Sequence, residues 1–286
     1  MGGNIFKDHA SPIVRENIRP TLKKYTDHLG LIFPDKAHVF TKFYPVGSVG
    51  KKPVSGDMDL AIDFKHLFDG VPYNKEEMSM YQINLEEWEA LYKKIKSRAR
   101  TSTDDMCKLK AFLKLLAYPV SSEGMIHVAN KKTTHGNIFT MFPQYDHYGV
   151  TKHYVQIDWM IGNLPWLKFA YHSGESGQLK GMHRTQLLVA MLSNNGYTFL
   201  HLKGIKNKET QQFVATTPQQ ATKLLSTFFG DCIEEDFYSF ISTHHFLKSH
   251  STDEQYSQII QSYLKILRIS KARIPFVLQG YQSADS

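Results

Sequence analysis

The chain has 286 residues, 42% of them hydrophobic and 21% charged, enough to bury a core in one large or two modest domains and to exclude disorder as its main state. A formal net charge of +7 favours an anionic partner, and nucleic acid or a nucleoside triphosphate are the obvious candidates. No apolar run approaches the roughly 18 residues that span a bilayer, and two cysteines, Cys107 and Cys232, are too few for a disulfide framework or a cysteine zinc cluster.

The opening Met1-Gly-Gly-Asn-Ile-Phe6 lacks the apolar stretch of a signal peptide, and Phe6 stands where a myristoylation signal wants Ser or Thr. A cytoplasmic protein is expected. Residues 12–30 carry Ile13, Ile18, Leu22, Tyr25 and Leu29 in a helical stripe, with Ser11-Pro12 as cap and first position and Gly30 as the stop. His38 to Tyr44 alternates loosely and predicts a strand ending at Pro45. The loop Gly47–Gly56 follows, and then Asp57 to Phe64 alternates strictly.

That alternation puts Asp57, Asp59, Ala61 and Asp63 on one face and Met58, Leu60, Ile62 and Phe64 on the other. The apolar face anchors the strand in a core. Two carboxylates projecting together repel each other, which is costly on a strand unless a cation sits between them. Magnesium suits oxygen ligands and brings phosphates with it. Upstream, a glycine at 47 lets backbone N–H groups approach phosphate, and the Ser48 hydroxyl together with a following helix N-terminus would bind it.

Further along, helices are predicted over 84–100 and 103–117, with Asp104–Asp105 as capping acids, and short strands over 125–129, 137–142 and 153–161 as a meander continuing the sheet. From Leu164 the pattern turns helical, at 164–172, 180–194, 217–228, 234–247 and 253–269, around a hairpin at 197–214. Basic clusters fall at Lys93, Lys94, Lys96, Arg98 and Arg100, at Lys131–Lys132, and at Lys203, Lys206 and Lys208, where solvated surface is the ordinary use. There is no Walker loop, Gly-x-Gly-x-x-Gly or Gly-x-Ser-x-Gly, which lowers P-loop, dinucleotide and hydrolase readings.

Val46-Gly-Ser48, an eight-residue spacer slightly short for the pattern, and Asp57-Met-Asp-Leu60 resemble the signature of the DNA polymerase β-type nucleotidyltransferase superfamily. The match spans about 20 residues. The resemblance implies an α+β fold: a nucleotidyltransferase-like mixed sheet flanked by helices over 1–175, then a helix-rich C-terminal domain over 176–286 completing the cleft. It also implies a third carboxylate on a later strand, a place that Asp158 fills within the apolar run Tyr154–Ile161. Asp57, Asp59 and Asp158 would then hold two magnesium ions, with manganese as the alternative.

In the segment Ser173–Arg184, Lys180 and Arg184 fall at i and i+4, on one face of a helix beginning there. The resemblance makes Lys180 a triphosphate clamp with Arg184 and Ser176 as helpers. The implied reaction moves a nucleoside monophosphate from a triphosphate to an acceptor hydroxyl, foremost an RNA or DNA 3′ end, releasing pyrophosphate. A cyclic- or oligonucleotide synthase and a small-molecule or protein nucleotidyltransferase share that chemistry. A non-catalytic nucleic-acid-binding protein on the same fold is the reading from another class.

Overall fold

The computed structural model describes residues 5–99, 102–134, 136–173, 179 and 181–279. It is an α+β protein whose chain divides into two compact units at Leu164/Pro165.

The first unit opens with β1 (Ile13–Val14), which pairs antiparallel with β3 (Val54–Ser55). That pairing takes Ile13 and Val14 out of the predicted helix, so α1 runs Arg15–Ile32. The Arg15 guanidinium donates to the Lys51 and Lys52 carbonyls across the same junction. Gly30 does not stop α1 but lies inside it, where an added Cβ would lie 3.2 Å from Ala37 Cβ. Ala37 starts α2 (Ala37–Phe40), so the predicted strand at 38–44 is reduced to β2 (Tyr44–Val46). Val39 and Phe40 are buried, and tertiary packing here overrides a weak alternation.

β4 (Met58–Asp63) is followed by α3 (Lys75–Met80), α4 (Leu85–Arg98) and α5 (Asp104–Ser121). Asn74, Asn84 and Thr103 each accept a backbone N–H in the first turn of the helix that follows. Behind α2 and α3, the fully buried Lys36 reaches Glu77 and Asp69 at 2.6 Å each, a pairing that makes the burial of the ammonium tolerable.

β5 (His127–Val128), β6 (Asn137–Tyr145) and β7 (Val150–Gly162) form the meander. They complete a five-stranded sheet of order β2-β4-β7-β6-β5, in which only β4 and β7 run parallel. Leu60, Ile62, Ile157, Trp159 and Ile161 point into one core with Leu109, Phe112 and Leu113 of α5. One polar network crosses that core: the Trp159 indole donates to Tyr25 Oη at 2.6 Å, Tyr25 and Thr140 share a hydrogen bond of 2.8 Å, and Thr140 Oγ1 donates to the Ile157 carbonyl.

The second unit has its own core. α6 (Leu164–Ala170) opens at the boundary, and α7 (Gly181–Asn194) precedes the three-stranded antiparallel sheet β8 (Tyr197–Leu200), β9 (Gly204–Asn207) and β10 (Phe213–Ala215). Then come α8 (Pro218–Phe229), α9 (Phe240–His250) and α10 (Asp253–Ser270). The predicted helix at 234–247 breaks at Ser239, whose hydroxyl accepts from the Ser242 N–H and starts α9 afresh. Among the described residues, no helix is long and apolar enough to cross a membrane.

The Tyr25 network ties α1 to β6 and β7, so Tyr25→Phe removes a buried hydroxyl and leaves the Trp159 N–H without its acceptor, while Thr140 keeps its bond to the Ile157 carbonyl. A loss of about 1–3 kcal/mol is expected, read as a lower urea midpoint at unchanged slope.

Candidate metal centre

The sheet faces differ because both partners of the parallel pair alternate. β4 and β7 are in register with Asp59 opposite Asp158, so the apolar residues on either side, Leu60 opposite Trp159 and Met58 opposite Ile157, point together into the core. The two acids therefore emerge side by side on the other face. Asp57, two residues before Asp59, joins them: one carboxylate oxygen from each of the three lies within 4.8 Å of the others. Asp57 and Asp158 are buried, and Asp59 is half-buried.

Three carboxylates at this separation repel. A fully charged pair 4.8 Å apart costs about 3 kcal/mol at an effective dielectric near 20, more than an ordinary hydrogen bond contributes. The cost is visible in proton affinity. Burial first, and then the charges of Asp59 and Asp57, push the Asp158 carboxyl up to about 8. Burial and then Asp57 raise Asp59 in the same direction. Either protons or a cation must relieve the cluster, and a hard, all-oxygen donor set suits a divalent ion such as magnesium or manganese.

Gly47 supplies the floor. It sits at φ 67° immediately after β2, whose Val46 is the register partner of Asp59. The left-handed backbone favours glycine, and a Cβ at residue 47 would lie 2.8 Å from Asp59 Oδ2 and press on that carboxylate. Ser48 is half-buried, and its carbonyl accepts from the Lys51 N–H and Ser55 Oγ. The predicted helix N-terminus after Ser48 is absent: residues 47–52 are turn and bend, so no helix dipole is available to a phosphate at this point.

Asp63 lies on the same strand but is used by the fold. It caps the turn at Phe64–His66 by accepting from the Lys65 N–H, and its other oxygen accepts from the Leu164 N–H. Asp104, assigned to helix capping, instead binds Lys96 and Lys108 at 2.5 and 2.9 Å, while Thr103 caps α5.

One residue of the site escaped the sequence reading. Gln156 donates to both carboxylate oxygens of Asp158, at 2.8 and 2.9 Å, while its own oxygen accepts from the Ile5 N–H at 3.1 Å. The Ile5 contact fixes which end of the amide faces Asp158. Its only sequence signal is the i−2 position relative to Asp158, which a half-buried strand offers to any polar residue.

Of the expected triphosphate contacts, Lys180 and Ser176 lie outside the described residues. Arg184 does not serve as a clamp. It is buried in the second unit, donates to the Phe237 and Phe169 carbonyls, and lies over the Phe169 ring. Burial pulls its pKa down to about 9. The i, i+4 spacing gave Arg184 a helix face, but that face turns into the core.

Because Asp59 and Asp158 hold protons more tightly in the folded chain, stability without metal should fall as pH rises from roughly 4, the ordinary aspartate value, to about 8. Saturating magnesium or manganese should raise the melting temperature more at the alkaline end of that window, since binding displaces those protons. Asp158→Asn should flatten both dependences, measured by scanning fluorimetry in chelator and in metal. Gln156→Met should weaken manganese binding about 10- to 100-fold by calorimetric titration, with the fold retained. Compared with protein-family models the chain matches none, and no curated protein matches its sequence.

Proposed function

We propose that this chain is a metal-dependent nucleotidyltransferase that moves a nucleoside monophosphate from a nucleoside triphosphate to an acceptor hydroxyl, most naturally a nucleic-acid 3′ end. The observation that carries this reading is the convergence of Asp57, Asp59 and Asp158 within 4.8 Å, Asp57 from the residue just before β4, Asp59 from β4 and Asp158 from its parallel neighbour β7, beside the Gly47-Ser48 turn.

Asp57, Asp59 and Asp158 would hold the divalent cation. Such an ion supplies charge neutralisation at a transferring phosphoryl group and lowers the pKa of a bound hydroxyl. The acceptor oxygen attacks the α-phosphorus in line, the bond to the β-phosphate's bridging oxygen breaks, and pyrophosphate leaves. Asp158, ionised, receives the acceptor proton. Gln156 keeps its carboxylate turned toward the other two acids. Gly47, without a side chain, leaves the backbone of the turn open to phosphate oxygens. Positioning and charge stabilisation carry most of phosphoryl transfer; a cation held by the three acids would supply the charge stabilisation. The net charge of +7 and two free cysteines agree with an anionic substrate and a reducing compartment such as the cytoplasm.

Incubating the chain with each labelled triphosphate, magnesium or manganese, and RNA, DNA or no acceptor should release pyrophosphate in at least one combination. Silence in all of them would sink the reading. Asp57→Ala and Asp158→Ala should each reduce turnover at least about a thousandfold, the scale of losing a principal charge-stabilising group, while the far-ultraviolet circular dichroism stays native.

A further inference from the structure

A cationic cleft suited to anions lies away from the carboxylates, in the helical layer that covers the opposite face of the sheet. α4 and α5 enclose a cleft of about 610 Å3. Its apolar floor is Leu91 and Ile95, and its walls carry Lys94 and Arg98 from α4 and Lys110 and Lys114 from α5. Both cation pairs stand at i and i+4, so each places like charges on one helix face, an arrangement that destabilises a helix. The two pairs also line the same cleft.

The neighbouring cations on these helices are treated differently. Lys93 pairs with Glu89, and Lys96 and Lys108 both pair with Asp104. Among the described residues, none of the four cleft cations takes part in an ion pair. Lys94 and Arg98 are exposed, and Lys110 and Lys114 are half-buried, so the walls are open to a large ligand. Residues at i and i+4 are about 6 Å apart along a helix axis, the scale on which phosphates succeed one another along a nucleic-acid strand. Aliphatic side chains between the cations give sugar and base an apolar surface.

We propose that the α4/α5 cleft binds the phosphodiester backbone of single-stranded RNA. It reads charge rather than sequence, because lysine and arginine contacts to phosphate carry no base information. Binding here needs neither a triphosphate nor a cation at the carboxylates. A chain that turns over nucleotides yet ignores RNA sinks the cleft alone. A chain that binds RNA through the cleft without turnover sinks the transferase reading alone.

The test is fluorescence anisotropy of the full chain with a short labelled oligouridylate, in chelator, from about 50 to about 200 mM salt. Lys110→Gln with Lys114→Gln should weaken binding about tenfold or more and reduce the slope of log K against log salt by about 1.4, at about 0.7 per lost phosphate contact on a single strand. Lys94→Gln with Arg98→Gln should do the same from the other wall. Relief of like-charge repulsion means neither double variant should melt below the native chain, and agreement between the two helices guards against a folding defect in one. The control Lys23→Gln with Lys93→Gln removes equal charge from exposed lysines already paired with Asp27 and Glu89, and should leave affinity and slope unchanged. An unaltered slope in both cleft variants, an equal loss in the control, or binding to anionic phospholipid vesicles but not to RNA would overturn the proposal.

Discussion

The candidate site depends on the parallel pairing of β4 with β7. Strands that run side by side in the same direction bring equivalent faces together at every register step, so one alignment sorts both of them into a core face and a charged face. Because the period is two, a slip of one residue would carry Asp158 into the core and expel Trp159. The Trp159–Tyr25–Thr140 hydrogen bonds oppose that slip. Their donors and acceptors are buried, and a slipped strand would leave them unsatisfied. The acids are thus held in place from the far side of the sheet.

What distinguishes these acids is their company. Asp63 receives two backbone N–H groups, Glu77 holds Lys36, and Asp104 holds two lysines. Asp59 and Asp158 face other carboxylates instead, and burial raises the cost of their charge. Evenly distributed charge would make a more stable sheet. A cluster that a cation or protons must relieve is characteristic of a site kept for chemistry.

The basic side of the charge balance follows the same logic. The excess of cations over acids is not spread evenly over α4 and α5: lysines near Glu89 and Asp104 are neutralised locally, while four cations line one cleft together with Leu91 and Ile95. Like charges are gathered twice in the first unit, acids on one face of the sheet and cations in the helical layer on the other. In both places the arrangement asks for a counterion of the opposite sign.

Much of this was legible in the sequence. Strict alternation over Asp57–Phe64 fixed which side chains share a face, and the apolar run around Asp158 marked it as an acid on a buried strand, because a strand's period survives in the order of residues. The long amphipathic helices were legible for the same reason. Other features depend on contacts between distant segments. The start of α1 was moved by pairing with Val54–Ser55, and the helical turn at Ala37–Phe40 goes with the burial of Val39 and Phe40. Arg184 has the spacing of a surface clamp and the environment of a core residue. Gln156 acquires its role only where β7 meets the Ile5 amide. Local periodicity determined which residues point together. Which of those faces meet acids, cations or core was decided by tertiary contacts, since charge repulsion and burial depend on distance in space rather than along the chain.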